Sequence, residues 1–305
     1  MTLAHWDDVP RRERMTGDIH ATWINLGNAA GCDRIGMKRI LIEPGRRSTP
    51  AHVHGAEEEI FYVLNGWGLL WQDGVTCEVH AGDAIVHLAN RETHTLRAGP
   101  HGLDVLAFGQ NIPLELCYLP RAGHAWAGPT VVATPGMQDL FPLDDAAGEF
   151  AFPPAGAQPA NVVALDSVPL QEGPGSRVRR DIGRAGGSKH TGLKHVTAAP
   201  GRLTAPPPCP SAEEELFVVL EGDGVLVQGD DEHAVRAGHV IGQLPGAGVA
   251  HTFRAGENGL ALLAYGTREP NDICYYPRSG KVFLRGVGVV GRLEVVADYW
   301  EGEEL

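Results

Sequence analysis

The sequence predicts an all-β protein built from two copies of one barrel-like domain. Short runs of β-branched and aromatic residues, such as "EIFYVLNG" and "ELFVVLEGDG", are bounded by Gly, Asp and Asn, which is typical of strands joined by tight turns. The chain carries 40 glycines and 22 prolines in 305 residues, and no long segment shows the 3.6-residue apolar period of a helix. We therefore expect many short strands and little helix.

An internal repeat predicts the duplication. Residues 25–46 align without gaps on residues 181–202, an offset of 156 positions, and "AEEE" at 56–59 meets "AEEE" at 212–215 with the same offset. After one inserted residue, "HTLRAG" in the first half meets "HTFRAG" in the second, and the match continues to "CYLPRAG" and "CYYPRSG". Similarity over this length indicates a duplicated structural unit.

The repeat sets the expected domain boundaries. We predict an N-terminal domain over residues 1–133, a linker over 134–160 and a C-terminal domain over 161–305. The linker is rich in Pro, Gly, Ala and Asp and lacks periodicity, as connecting segments do. Its three phenylalanines suggest that parts of it dock onto a barrel.

Composition limits the function classes. An apolar content of 43% and a charged content of 21% are those of a soluble globular protein. The formal net charge of −13 argues against a nucleic acid or an anionic membrane as partner, because both favour basic patches. No apolar run is long enough to span a membrane and the first residues lack a secretory pattern. We therefore predict a cytoplasmic protein with its five cysteines reduced.

Three histidines and one glutamate in the first copy predict a metal site. His52 and His54 point to one face of a strand, because side chains alternate along it. Glu59 begins the next strand, and His94 follows a later loop on the expected sheet. Such groups are costly to bury without a partner, and a divalent transition metal supplies one partner for all four while leaving positions open for substrate.

The spacing of these residues resembles the first motif of the cupin superfamily, G-x(5 or so)-H-x-H-x(3,4)-E-x6-G. Gly45, His52, His54, Glu59 and Gly66 match it with one extra residue after the first glycine. This resemblance implies that His52, His54, Glu59 and His94 form a metal site in the N-terminal domain.

The second cupin motif, G-x5-P-x-G-x2-H, is matched more loosely. Leu88 stands at the proline position, Asn90 at the glycine position, and one residue is added before His94. The second copy keeps the proline and the glycine as Pro245 and Gly246, which supports the alignment. Over nearly the whole chain, the resemblance implies a bicupin: two double-stranded β-helix (jelly-roll) barrels, with one divalent transition metal (Fe, Mn, Ni or Zn) in the first.

The second copy has lost half of its ligand set. Pro208 and Pro210 stand opposite the first two histidines, whereas Glu215 and His251 stand opposite Glu59 and His94. Proline has no side-chain donor atom, so we predict a degenerate second site without metal. Glu215 and His251 would then pair with each other or with backbone; a smaller site that uses them is the alternative.

Five further residues are candidates for the active site. Phe61 and Val63 share the strand face of Glu59 and would wall a substrate pocket. Glu58 and His87 are weak candidates for a proton-transfer role. Arg39, which has a histidine opposite it in the second copy, is a candidate for binding a substrate anion.

These residues leave three function classes open. Cupins of similar ligand set include dioxygenases that act on phenolic or enol substrates, oxalate decarboxylases, and sugar or keto-acid isomerases. We favour a dioxygenase, because the expected pocket is apolar and no acid–base pair is evident. The alternatives are a cupin isomerase or decarboxylase, and a non-catalytic protein that binds a small molecule. A small-molecule substrate is expected in the first two classes, and either a monomer or a homodimer fits.

Overall fold

The computed structural model describes residues 1–127, 130–132, 140–173, 177–294 and 301. The predicted end of the N-terminal domain at residue 133 and the first part of the predicted linker, 134–139, lie outside these residues. Strands dominate the described chain, and its α-helices are only four to six residues long. The all-β prediction is confirmed.

The strands alternate with tight turns along the chain. Those up to residue 164 are β1 (Thr2–His5), β2 (Arg11–Thr16), β3 (Ile19–Asn25), β4 (Ile35–Ile42), β5 (Val53–His54), β6 (Glu59–Gln72), β7 (Val75–His80), β8 (Asp83–His87), β9 (His94–Gln110), β10 (Leu116–Leu119), β11 (His124–Ala127), β12 (Thr130–Val132) and β13 (Val162–Ala164). The later ones are β14 (Gln171–Gly173), β15 (Arg177–Arg180), β16 (Thr191–Ala198), β17 (Cys209–Pro210), β18 (Glu215–Gln228), β19 (Asp231–Arg236), β20 (His239–Gln243), β21 (His251–Thr267), β22 (Ile273–Tyr276), β23 (Lys281–Leu284) and β24 (Val289–Arg292). The short helices are α1 (Leu26–Ala29), α2 (Phe141–Ala146) and α3 (Ile182–Ala185), with 3-10 turns at Leu165–Ser167 and Arg285–Val287.

Each half of the chain forms a barrel from one large and one small antiparallel sheet. In barrel 1 the large sheet has the order β13-β8-β6-β9-β4-β3-β2, with β7 paired to β6, and the small sheet has the order β12-β11-β10-β5. Barrel 2 repeats this arrangement as β1-β20-β18-β21-β16-β15-β14, with β19 on β18, and β17-β22-β23-β24. The repeat predicts the duplication, and the cupin resemblance implies the tandem jelly-roll architecture that is observed.

The two barrels exchange edge strands within the chain. β1, at the N-terminus, pairs with β20 of barrel 2, so that Thr2 lies opposite Gly242. In return β13, which follows the linker, pairs with β8 of barrel 1, with Val162 opposite Ile85. Each strand covers an edge that would otherwise expose unpaired backbone groups. The predicted domains 1–133 and 161–305 therefore do not account for these two edge strands. For the rest of each barrel, the boundaries remain a prediction.

Alternation along the strands separates three apolar cores. One face of the large sheet fills barrel 1, and the corresponding face fills barrel 2. The opposite faces of the two large sheets pack against each other in a third core shared by both barrels. There Phe108 and Tyr265 are fully buried, with ring centroids 5.1 Å apart. This shared core holds the two barrels together.

Two residues with positive φ, Gly66 at an irregularity within β6 and Asn90 in the turn before His94, show why the motif positions matter. Gly66 has a φ of 85°, and a Cβ there would lie 2.6 Å from the carbonyl oxygen of Gly102, so a side chain would clash. Asn90 occupies the glycine position of the second motif and has a φ of 53°, a conformation that Asn tolerates better than most residues. The substitution at that position is therefore compatible with the turn that leads to His94.

The phenylalanines of the linker contact barrel 1. Phe141, in α2, packs edge-on against Trp23 with ring centroids 6.2 Å apart. The ring of Phe150 lies 4.3 Å from the guanidinium carbon of Arg47. Arg47 is itself buried and paired with Asp18 and Asp144. The described part of the linker thus covers one side of the first barrel.

No helix in the described ranges has the length and apolarity needed to cross a membrane.

The shared core makes a stability prediction. Phe108→Ala removes a fully buried ring between the barrels, so we expect the free energy of unfolding to fall by about 3–5 kcal/mol, measured by urea denaturation. Leu114→Ala is the control, because Leu114 is 82% exposed and surface changes usually stay within about 0.5 kcal/mol. Two separate transitions, of which only one shifts, would contradict a core that both barrels share.

Candidate metal centre

The structure brings His52, His54, Glu59 and His94 together inside barrel 1. Their ligand atoms all lie within 4.8 Å of one another. His52 and His94 form an isolated antiparallel bridge. His54 lies on β5 and Glu59 at the first residue of β6. Residues 52–59 and His94, which lies 35 positions after Glu59, therefore converge on one point.

The three imidazoles are oriented by their outer nitrogens. Nδ1 of His52 lies 2.8 Å from the carbonyl oxygen of Pro50, and Nδ1 of His94 lies 3.0 Å from that of Glu92. Nδ1 of His54 lies 3.0 Å from Oε1 of Glu57. A proton on Nδ1 of His52 and of His94 satisfies the two carbonyl acceptors, and a proton on Nδ1 of His54 faces the Glu57 carboxylate, which leaves the lone pair on each Nε2.

The three Nε2 atoms converge on one carboxylate oxygen. Oε2 of Glu59 lies 2.9 Å from Nε2 of His94, 3.4 Å from that of His54 and 3.9 Å from that of His52. Imidazole and carboxylate are donors for divalent transition metals such as Mn, Fe, Ni and Zn. Three imidazoles and one carboxylate therefore fit a divalent transition metal. An ion that accepts six ligands would keep two positions open for a substrate.

Electrostatics inside the cluster are dominated by burial and by the carboxylates. Burial lowers the pKa of His52 to about 3, and the neighbouring His94 and His54 act in the same direction, so His52 is neutral. Burial also opposes ionisation of Glu59, but hydrogen bonding and attraction to His54 and His94 hold the pKa of this carboxyl well below its usual range. A neutral imidazole and an ionised carboxylate are the forms that bind metal.

Two carboxylates that sequence reasoning missed surround His54. Glu57 faces its Nδ1, and Oε1 of Glu115 lies 3.6 Å from the same atom. Glu115 also accepts hydrogen bonds from the backbone N–H groups of Gly55 and Ala56, at 2.7 and 3.0 Å. Carboxylates behind a metal-ligating histidine fix its orientation and raise its basicity. The sequence does contain a signal for both residues, because each of the two copies carries an acidic residue at these two positions.

Of the predicted active-site residues, His87 and Phe61 lie beside the cluster. His87 is 2% exposed and stacks on His94, with centroids 3.7 Å apart and planes 4° apart. Phe61 packs edge-on against His94, with centroids 5.8 Å apart, and Val63 is fully buried in the apolar core of barrel 1. Neither ring nitrogen of His87 has a hydrogen-bond partner among the described residues.

Glu58 and Arg39 lie elsewhere, which corrects two of the active-site expectations. Glu58 directly precedes β6 and binds a loop of barrel 2. Arg39 forms a two-point ion pair with Asp104 and its guanidinium lies 4.2 Å from the ring of Trp6. Both side chains stand one residue out of phase with those that fill the barrel, because neighbouring residues on a strand face opposite sides.

Barrel 2 shows how the lost histidines are compensated. Nε2 of His251 lies 3.2 Å from Oε2 of Glu215, so the two remaining members of the set contact each other. Arg285 contacts Glu213 and Asp272, which align with Glu57 and Glu115. The carboxylates that surround His54 in barrel 1 thus face an arginine in barrel 2. Among the described residues, a four-ligand group of this kind is found only in barrel 1.

The burial of Glu213 makes a pH prediction. Burial raises the pKa of Glu213 from 4.5 to about 7, although Arg285 lowers it. Because the folded state binds this proton more tightly than the unfolded state, the stabilisation is complete below about pH 4.5 and is lost as the pH rises to 7. Relative to Glu213→Gln, we expect the wild type to lose about 3 kcal/mol across this window, measured by urea denaturation at each pH.

Glu257→Gln is the control for this comparison, since it removes the same charge from an exposed position. A wild type and a Glu213→Gln variant whose free energies of unfolding change in parallel with pH would contradict the prediction.

Comparison with known proteins places the site in a family context. The cupin domain family model matches residues 38–100, the segment that holds all four clustered residues. No curated protein matches the chain by sequence.

Solved structures match over most of the chain. An oxalate decarboxylase of Lactobacillus farciminis, in a formate complex, has a TM-score of 0.61 at 13% identity and covers 88% of this chain and 86% of its own. The oxalate decarboxylase of Bacillus subtilis at pH 4.6 has a TM-score of 0.58 at 14% identity, with coverages of 87% and 75%. A structure from work on the Mn(II) centres of the Bacillus subtilis enzyme has a TM-score of 0.57 at 16% identity, with coverages of 87% and 76%.

Because the sequence identities are only 13–16%, these structures show a similar fold and not a shared activity. A cupin-domain match in the first half and a similar fold over nearly the whole length agree with the two motifs and the repeat. Residues 38–100 thus match the cupin domain family, and the two-barrel fold of the chain is similar to that of solved oxalate decarboxylases.

Proposed function

We propose that this metal-dependent bicupin removes carbon dioxide from a small carboxylate substrate at the metal centre of barrel 1. The observation that carries the proposal is the convergence of three Nε2 atoms on the Glu59 carboxylate inside a closed barrel. The similar folds of oxalate decarboxylases support the reaction class. A cupin isomerase or decarboxylase is one of the alternatives to a dioxygenase that the sequence leaves open, and the similar folds support it better than the dioxygenase.

The chemistry requires a held carboxylate and a source of a proton. The bond between the carboxylate carbon and its neighbour breaks, CO₂ leaves, and the electron pair that stays on the remaining carbon takes up a proton. A metal held by His52, His54, Glu59 and His94 would supply Lewis-acid stabilisation of the negative charge on oxygen.

The chain's own residues complete the arrangement. Lys38 is exposed, and it shares a strand face with Ile40 and Ile42, which pack in the interior of barrel 1. From this rim position its ammonium is suited to attract a carboxylate. His87, stacked on His94, is the candidate for holding a proton near the substrate. Phe61, which packs against His94, excludes water from one side of the cluster.

A dioxygenase is the second candidate, and the apolar wall is the observation that favours it. Phe61 is 4% exposed and packs against His94, so one side of the site suits an aromatic or enol substrate. The two reactions differ in their oxygen demand, since a dioxygenase consumes one O₂ for each product molecule and simple decarboxylation has no net oxygen consumption.

The first test of the proposed function is the metal content of the protein. We expect purified protein to bind one Mn(II) or Fe(II) per chain. The His54→Ala variant is expected to lose most of this metal, because it lacks one of the four ligands, the imidazole that Glu57 orients. The measurement is elemental analysis after dialysis. His101→Ala is the control, since His101 is exposed. Two metals per chain would contradict a metal-free barrel 2, and none after titration would favour a non-catalytic binding protein.

Turnover is the second prediction. With Mn(II)-loaded protein and small dicarboxylates or 2-oxocarboxylates, oxalate first, we expect CO₂ release without net uptake of O₂, measured together by a CO₂ sensor and an oxygen electrode. His54→Ala is expected to be inactive. Lys38→Met is expected to raise KM about fivefold, as the loss of an exposed ionic contact of about 1 kcal/mol would do. Stoichiometric O₂ uptake would instead favour the dioxygenase.

A further inference from the structure

Two glutamates bind the barrels to each other in a reciprocal way. Glu58 of barrel 1 binds the loop of barrel 2 that precedes β16, and Glu214 of barrel 2 binds the loop of barrel 1 that precedes β4. The two glutamates are 156 positions apart and thus occupy equivalent places in the repeat. Both are buried, with exposed fractions of 1% and 0%. We name these contacts the Glu58 clasp and the Glu214 clasp.

The Glu58 clasp is the more extensive. Its carboxylate accepts hydrogen bonds from the backbone N–H groups of Lys189, His190 and Thr191, at 2.7, 3.1 and 3.0 Å. The hydroxyls of Ser188 and Thr191 each lie 3.0 Å from the same carboxylate. These contacts hold the pKa of Glu58 below its usual range, although burial opposes this effect.

The Glu214 clasp has fewer donors. Its carboxylate accepts hydrogen bonds from the backbone N–H groups of Asp33 and Arg34, at 2.7 and 2.6 Å. The residues on either side of Glu214 are Glu213 and Glu215, which contact Arg285 and His251. The strand start that the Glu214 clasp fixes therefore carries no metal-ligand group.

The Glu58 clasp fixes a strand start that does carry one. Glu59 supplies the carboxylate on which the three imidazoles converge, and Glu57 orients His54. Glu57 and Glu59 face the site because they alternate with Glu58, which faces barrel 2. The other end of this turn is held by Glu115, through the N–H groups of Gly55 and Ala56. The turn is thus anchored on one side by barrel 1 and on the other by barrel 2.

We propose that Glu58 is a positioning residue for the metal site and that the metal-free barrel 2 completes this site through the loop 188–191. A carboxylate bound by charge-assisted hydrogen bonds fixes its own backbone, so barrel 2 determines where Glu59 begins its strand. Metal binding and the docking of this loop are then thermodynamically linked, and each strengthens the other. The inference rests on the metal site of the proposed function and not on the reaction.

Matched variants of the full chain test this proposal. Glu58→Gln and Glu214→Gln each replace one buried carboxylate by an isosteric amide at equivalent places in the repeat. Titration with Mn(II) alone, followed by electron paramagnetic resonance, gives the affinity and the spectrum of the bound ion, and circular dichroism checks folding. We expect Glu58→Gln to weaken Mn(II) binding about tenfold or more, the range for partners behind metal ligands, and to alter the spectrum.

The Glu214→Gln variant is expected to keep the wild-type affinity and spectrum. An unchanged affinity in Glu58→Gln, or an equal loss in both variants, would overturn the proposal, because the clasp would then contribute only to general stability. If the wild type itself bound no Mn(II), the proposed function would fail instead, which is a distinguishable result.

A second measurement does not depend on the folding of Glu58→Gln. In the wild type, we expect Mn(II) to slow hydrogen exchange at the amides of Lys189, His190 and Thr191 more than at those of Asp33 and Arg34. Ser188→Ala, which removes one hydroxyl contact and no backbone donor, is expected to weaken Mn(II) binding in the same direction by a smaller factor. Equal slowing at both loops, together with unchanged Mn(II) affinity in Ser188→Ala, would overturn the proposal.

Discussion

Ionisable groups enclosed in a β-barrel need partners inside it, and this constraint shapes both halves of the chain. In barrel 1 the outer nitrogens of three imidazoles face acceptors, so their inner nitrogens meet the Glu59 carboxylate. Such a set is costly to bury unless a cation joins it. In barrel 2 the same strands carry two prolines, and Arg285 supplies the cation that two of the buried acids require. The interiors differ, although the sheets that surround them are alike.

Duplication also explains how the barrels stay together. Each gives an edge strand to the other, each contributes one sheet face to the shared core, and each offers a buried glutamate to a loop of its partner. Such reciprocity is expected when two copies of one unit pack face to face. These contacts use equivalent positions in the two copies and none of the four metal-ligand positions, so they are compatible with different barrel interiors. This reciprocity is the basis of our proposal that barrel 2, whose ligand set is incomplete, contributes to the site of barrel 1.

Much of the fold and the ligand set is encoded locally. The period-2 apolar runs, the turn glycines and the gapless repeat predict two β-barrels, because these features depend only on neighbouring residues and on self-similarity. The spacing from His52 to Glu59 predicts that these side chains converge, since it matches a strand, a tight turn and the next strand. Proline at 208 and 210 excludes side-chain ligands at those positions without any knowledge of the structure.

The rest depends on contacts between residues far apart in the chain. The sequence alone determined two β-barrels, one complete ligand set and one degenerate set, because strand periodicity and donor chemistry are local properties. Only the tertiary structure decided that Glu58 faces barrel 2, that Arg39 pairs with Asp104 and that Glu115 lies behind His54. It also decided that Arg285 meets the acids of barrel 2. These outcomes depend on the packing of one sheet or barrel against another, which no local pattern specifies.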